Sequence, residues 1–368
     1  MDTSSFIAKL QRETSTQVGL PAERVQEKSQ PPRIHRRFHG ADDEEQSDVS
    51  FVPTMELPAG EPGNGQMERE RTLSLAEGGP HTQRTLSLTV ATLTHPGIAR
   101  RHKPNEDSLF VGQGLRAHHA QPQPFGLFMV ADGMGGHAHG QDASRLAIQA
   151  VIGQVLPKMA SNSELEDAEL RQLLVDGVNE AHQAIYRRNM QQRMVMSTTL
   201  TAALVVGAGA YLVNVGDSRI YLYREGAGLR RLTSDHSVAA HLIETGAIQP
   251  ADVSTHPGRS QLYRCLGQEP PLVIDSFFEP LQRDDRLLLC SDGLWAMVGD
   301  PYLQQILSIV PETSLLSRAL LEAALDGGGA DNISAIVVKV SEAMCYTEEM
   351  ELQLIAQYKG TYDAGPVT

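Results

Sequence analysis

Cysteine is scarce in this chain. Three are present among 368 residues, Cys265, Cys290 and Cys345, and none forms a CxxC pair. An odd number without paired spacing makes a poor disulfide framework, so a reducing, cytoplasmic setting is expected. Cys290 lies in the apolar run Leu287-Leu288-Leu289-Cys290 and reads as a small buried hydrophobe. Long apolar runs are also missing. None approaches the ~20 residues that span a bilayer. The opening MDTSSFIAKLQRETSTQ has no apolar core of a secretory signal, so no membrane partner is expected. An excess of positive charge is lacking too. Lys and Arg number 31 against 45 Asp and Glu, for a formal net charge of -14. Nucleic acids and anionic membranes need basic patches, so neither is expected as the main partner. No GxxxxGK[ST] loop occurs, which disfavours an NTPase. No Cys is followed by Arg at the sixth position, which disfavours a thiol-phosphate mechanism. The acidity itself leaves phosphate chemistry open, because an acidic site can hold its positive charge as bound metal ions.

What the chain has falls into three stretches. Residues 1–84 are dominated by Pro, Gln, Glu, Arg, Ser and Gly and sustain no period. Such a segment buries too little surface to offset its ordering entropy and is expected to be a disordered N-terminal tail. Its repeat, Arg71-Thr-Leu-Ser-Leu75 and Arg84-Thr-Leu-Ser-Leu88, reads as coincidence. Residues 85–342 read as one domain, and 343–368 as a C-terminal tail with a helical turn or two near 348–357. Strands are predicted over 86–94, 125–131, 198–206, 211–215, 219–223, 272–278, 286–290 and 334–340. Helical spacing marks 142–156, 165–190, 237–245, 301–310 and 314–325. Strands in runs separated by pairs of helices predict an α+β layered domain with mostly antiparallel sheets.

Carboxylates stand at the ends of these apolar strands. They are Glu106-Asp107 in PNEDS, Asp132-Gly133 in VADGMGGH, Asp217 in NVGDSR, Asp292-Gly293 in LLLCSDGLW and Asp331-Asn332 in GADNIS. An aspartate ending a buried strand is costly unless paired or ligated. Five such points in one domain could converge. An all-oxygen set without His or Cys suits Mg or Mn rather than Zn. Glycine after a ligand aspartate frees the backbone for close approach. Two ions about 3.5–4 Å apart can generate a hydroxide and clamp a phosphoryl group, so a two-metal phosphoester hydrolase is the physical reading. Each piece alone has a plainer one. A DG dipeptide is usually a turn, DN before a strand an Asx-turn, and RRHK a solvated face.

Taken in order, RRHKPNEDS, VADGMGGHAHG, MSTTLTAALV, NVGDSRIYL, LTSDHS, LYRCLG, LLLCSDGLW and DNISAIVV resemble the metal-dependent protein phosphatases, the type 2C or PPM serine/threonine phosphatases. The resemblance spans 86–341, and the DGMGG form is similar to the bacterial branch. It implies an αββα sandwich of two antiparallel sheets flanked by helices, with a binuclear metal centre at one end. It implies that Asp132 bridges two tightly held Mn or Mg ions and that Gly133 offers its carbonyl. Asp292 and Asp331 would bind the first ion, and Glu106 and Asp107 would hold the waters of the second. Asp217, with Asp292, would hold a third, weaker ion. Asp132, Asp292 and Asp331 thus carry the chemistry, a metal-bridging water attacking the phosphorus of a phosphoserine or phosphothreonine. Phosphorylated proteins are the implied partners of a monomeric enzyme.

Two departures qualify this. Met134 stands where animal members have a histidine, while His137 and His139 read as surface residues of a glycine loop. The phosphate-gripping arginine falls near Arg101 counted from NED and on Arg100 counted from Gly97; Arg101 is favoured. Thr255-His256-Pro257, in a loop at 246–260 that corresponds to the family's flap, is a candidate substrate contact. Two other readings stay open: a phosphatase fold that only binds partners, and a small-phosphoester hydrolase.

Overall fold

The computed structural model describes residues 55–56, 84–118, 121–135, 138–161, 164–249, 256, 258 and 261–344. Most of the expected N-terminal tail, and the C-terminal residues from 345 with their expected helical turns, lie outside the described residues. One piece of the former is described. Met55–Glu56 (β1) pairs in parallel with Gly112–Gln113 at a sheet edge, so the expectation of no regular structure fails for this pair.

The domain is a sandwich of two sheets. The first runs in the order β1, β3 (Asp107–His118), β4 (Gln121–Met134), β6 (Leu200–Val206), β7 (Gly209–Val215) and β10 (Asp275–Pro280), with β5 (Ser197–Thr198) paired to the end of β4. The second runs in the order β2 (Arg84–His95), β12 (Ile333–Met344), β11 (Arg286–Cys290), β8 (Arg219–Arg224) and β9 (Gly228–Arg231). All pairings except that of β1 are antiparallel.

Strand β4 shows why the sequence takes this form. Successive side chains alternate between faces, so a strand covered on both sides reads as a continuous apolar run. Phe125, Leu127, Met129 and Ala131 join a core with α1 (Ala138–Ala160) and α2 (Asp167–Gln192). Phe128 and Val130 join a second core between the sheets, with Ile220, Leu222, Leu287, Leu289, Ile336 and Val338. Burying each large side chain contributes about 1.5–3 kcal/mol. Cutting the fully buried Leu127 to Ala is therefore expected to cost about 2–5 kcal/mol. On the far side, α4 (Asp292–Val298), α5 (Asp300–Ile309) and α6 (Thr313–Asp326) cover the second sheet. The remaining helix, α3 (Val238–Glu244), is capped by Ser237, whose hydroxyl accepts from the Ala240 amide at 3.3 Å.

The αββα expectation holds, with local differences. Strand β3 is absent from the sequence reading because Gly112 and Gly114 dilute its pattern. Both are needed: a Cβ there would meet the Phe110 ring at 2.8 Å and the Phe125 ring at 2.9 Å. Asp132-Gly133 is not a turn, because β4 continues through Gly133↔Thr198 and Met134↔Ser197. Asp292-Gly293 is not one either, because it opens α4. The strand predicted from Leu272 begins at Asp275, where pairing with Asn214 starts.

Candidate metal-binding active site

Antiparallel pairing brings the acidic strand ends to one end of the sandwich. Asp107 opens β3 and Asp132 lies near the end of β4, and the two are direct partners in the register. Asp292 follows β11, Asp331 precedes β12, and Asp217 lies between β7 and β8. Cys290 pairs with both Ala335 and Arg219, which places these last three ends side by side.

Small polar residues hold the acidic segments in place, one through a carboxylate and the others through the backbone. Ser291 donates to Asp107 Oδ2 at 2.8 Å and accepts from the Ser334 amide at 3.1 Å. Asn332 Oδ1 accepts from the Glu106 amide at 2.9 Å, while its Nδ2 donates to the Pro96 carbonyl at 2.9 Å. Thr199 Oγ1 accepts from the Asp132 amide at 2.9 Å. Thr198 Oγ1 and the Thr199 amide both donate to the Asp132 carbonyl, at 2.8 and 2.9 Å. Glycines permit the crowding. A Cβ on Gly133 would lie 2.0 Å from the Gly140 carbonyl oxygen, and one on Gly293 1.9 Å from that of Asn332. Ser291, Thr199 and Gly140 are absent from the sequence reading as site residues. The available signal was a small polar or glycine residue flanking each acidic motif.

The electrostatics are those of an anion cluster short of cations. Burial first, then Asp292 and Asp331, push Asp107 up to about 7. Burial and Asp292 push Asp217 up to about 8. Asp292 rises to about 6 from burial and Asp331, moderated by a hydrogen bond with Asp132. Asp132 is held well above the ordinary carboxylate range by burial and by Asp107, Asp292, Asp217 and Asp331. Five carboxylates thus act on one another. Glu106 Oε1, Asp107 Oδ1 and Asp292 Oδ1 are buried without a hydrogen-bond partner. Buried, mutually repelling, unpaired oxygens are what hard divalent cations neutralise. The residues therefore fit Mg or Mn, although among the described residues no three such groups stand ready as an ion cage.

Among the described residues, one guanidinium makes ion pairs within this cluster. Arg100 makes ion pairs with both Glu106 and Asp331. Arg101, the arginine favoured from sequence spacing, points away: it is exposed, and its Nε donates to His102 Nε2 at 3.1 Å. The difference between the two neighbours has a steric cause. Gly97, at φ +78° with no room for a Cβ against the Asp331 carbonyl, turns the loop so that residue 100 faces inward. His139 is exposed, and His137 lies outside the described residues, as do Thr255 and Pro257.

A two-sheet α+β sandwich with a buried carboxylate cluster at one end is the class that fold and site define. Comparison narrows it. The pattern of protein phosphatase 2C matches residues 97–335. The serine/threonine phosphatase stp of Listeria monocytogenes serotype 4b is 34% identical over 246 residues, 67% of this chain and 93% of its own. The serine/threonine protein phosphatase PstP of Mycobacterium tuberculosis is 36% identical over 265 residues, 70% of this chain and 46% of its own. A crystal structure of the PstP catalytic domain in complex with 2 manganese ions superposes with a TM-score of 0.57 at 33% identity, covering 70% of this chain and 100% of that one. The chain belongs to the protein phosphatase 2C family, and it is a metal-dependent phosphatase. Among the described residues, no helix is long and apolar enough to cross a membrane.

Proposed function

We infer that the protein hydrolyses phosphoserine and phosphothreonine in phosphoproteins, acting as a cytoplasmic monomer that opposes serine/threonine kinases. The observation that carries this reading is the convergence of Glu106, Asp107, Asp132, Asp217, Asp292 and Asp331, three of them with buried unpaired oxygens. Similarity to stp and PstP supports the serine/threonine preference.

Asp132 and the Gly133 carbonyl would serve two tightly held ions, Mn or Mg. Asp292 and Asp331 would serve one of them, Glu106 and Asp107 the other, and Asp217 with Asp292 a third, weaker ion. When bound, such ions supply Lewis-acid polarisation of the phosphoryl group and a water of lowered pKa. The chain's own residues set the stage. Ser291 holds the Asp107 carboxylate, and Asn332 and Thr199 hold the backbone at Glu106 and Asp132, before substrate arrives, so less reorganisation is left to the reaction. Arg100, rather than Arg101, would exchange part of its carboxylate pairing for the substrate's phosphate oxygens, which a planar guanidinium grips as a fork. Met134 after the Asp-Gly pair offers no proton, so this position does not supply an acid for the leaving oxygen.

The test is hydrolysis by the full-length protein with Mn of a phosphothreonine peptide, a phosphotyrosine peptide and an aryl phosphate. Phosphothreonine turnover, abolished by EDTA and restored by Mn or Mg, is expected. Turnover of the aryl phosphate alone would favour a small-phosphoester hydrolase. No turnover of any of the three would favour a binding role.

A further inference from the structure

Two motifs of the sequence, LTSDHS and LYRCLG, take no part in the chemistry above. They meet at His236, which is 2% exposed. The Gly216 amide donates to His236 Nδ1 at 3.0 Å, and the His236 amide donates to the Gly216 carbonyl at 3.0 Å. Both backbone polar groups of the residue before Asp217 are therefore bonded to this one histidine. An Nδ1 that accepts carries no hydrogen, so the hydrogen is on Nε2, which lies 3.0 Å from Asp275 Oδ2. Arg264 Nη1 donates to the other oxygen, Asp275 Oδ1, at 2.8 Å and sits 3.0 Å from Nε2. One carboxylate thus orients both donors. Burial and the nearby guanidinium together keep the imidazole lowered from its ordinary range despite Asp275.

The turn held this way has little freedom. Gly216 is at φ +110°, and a Cβ on it would lie 2.6 Å from the Thr199 side chain. That is the same Thr199 whose hydroxyl accepts from the Asp132 amide. Thr199 Oγ1 also lies 2.8 Å from Ser218 Oγ, and Trp295 Nε1 donates to the Asp217 carbonyl at 3.0 Å.

We propose that His236 is a positioning residue for the metal centre: its Nδ1, held as an acceptor by Asp275 on the opposite nitrogen, fixes the Gly216–Asp217 turn and so the Asp217 carboxylate. The Tyr263 amide donates to the His236 carbonyl at 3.0 Å, which ties the segment just after the 246–260 loop to the same residue. The effect on turnover rests on the reading of Asp217 as a ligand; the effect on the turn does not.

The experiment compares His236→Gln and His236→Asn in the full-length protein by amide hydrogen exchange without metal. Asparagine can place an acceptor near Nδ1, whereas glutamine reaches only toward Nε2. In His236→Gln the Gly216 amide should lose protection while Leu212 and Val213 on β7 keep theirs. In His236→Asn the protection should return. With Mn, the Gln variant should turn over about 10- to 100-fold more slowly, the usual cost of losing an outer partner of a metal ligand. Asp217→Ala is assayed alongside. If that variant turns over like wild type, the ligand reading of Asp217 fails while the exchange result still stands. Unchanged Gly216 exchange in His236→Gln would overturn the proposal. Nitrogen NMR of the wild-type imidazole needs no variant to fold: a hydrogen on Nε2 supports the proposal, and one on Nδ1 overturns it.

Discussion

Asp107 and Asp132 are direct partners across the β3–β4 pairing, two buried carboxylates on neighbouring strands. Burial raises the cost of ionising both, and the neighbouring Asp107 adds to that cost for Asp132. Ser291 relieves one oxygen of Asp107, and the other has no partner. An arrangement that works against folding in this way marks a site kept for its chemistry.

The first consequence concerns the charge itself. Asp132→Asn and Asp292→Asn are each expected to lower turnover by more than about 100-fold, since even outer partners of metal ligands cost 10- to 100-fold. In EDTA the same variants should melt at or above the wild-type temperature, because each removes a carboxyl group whose ionisation burial and its neighbours oppose. Steady-state kinetics and thermal melts of the same samples check both; near-wild-type rates would put the site elsewhere.

The second concerns pH. Asp107 and Asp217 stand at about 7 and about 8 in the folded chain against an ordinary 3.8. The folded state therefore holds protons that the unfolded state has lost, and stability falls as pH rises through those values. The buried His182 and His236 and the half-buried His95, all lowered from 6.5, act in the opposite sense and mainly below that value. Between pH 6.5 and 8 the EDTA-treated protein is thus expected to lose on the order of 1–2 kcal/mol. Denaturant titrations at the two pH values measure this, and saturating Mn should flatten the difference.

The third separates two adjacent arginines. Arg100→Ala should cut kcat/KM for a phosphothreonine peptide by on the order of 10- to 100-fold, the loss of a charge-assisted bidentate grip. Arg101→Ala, on an exposed side chain, should leave it nearly unchanged. Equal losses in the two variants would return the role to Arg101.

The fourth tests the packing that delivers Asp292. A Cβ on Gly293 would lie 1.9 Å from a backbone oxygen of Asn332, an atom that cannot swing aside. Gly293→Ala is expected to cost about 1–3 kcal/mol by overpacking. Gly153, within α1, has nothing within 4 Å of such a Cβ, so Gly153→Ala should stabilise by about 0.5–1 kcal/mol. Denaturant midpoints of the two variants should move in opposite directions.

Much of this was legible along the chain because it is local. The apolar run at 125–131 announces a strand covered on both faces, and several of the acidic motifs sit at the ends of predicted strands. Strand β3 was not legible, because its glycines serve aromatic rings in and beside the strand and leave no period behind. Helix α4 was hidden for a similar reason: its first residues, Asp292-Gly293, are also a common turn dipeptide.

By itself the sequence determined which acidic motifs the chain carries, their order, and the alternation that layers two sheets between helices. Those follow from nearest-neighbour sterics and from the period of burial. Tertiary structure alone decided which of Arg100 and Arg101 turns inward, and that Ser291 supports Asp107 from 184 residues away. It also decided that His236 bonds both backbone groups of Gly216. Such contacts depend on where irregular loops end in space. No period governs that; it is set by closure of the sheets around them and by the few backbone paths that the glycines leave open.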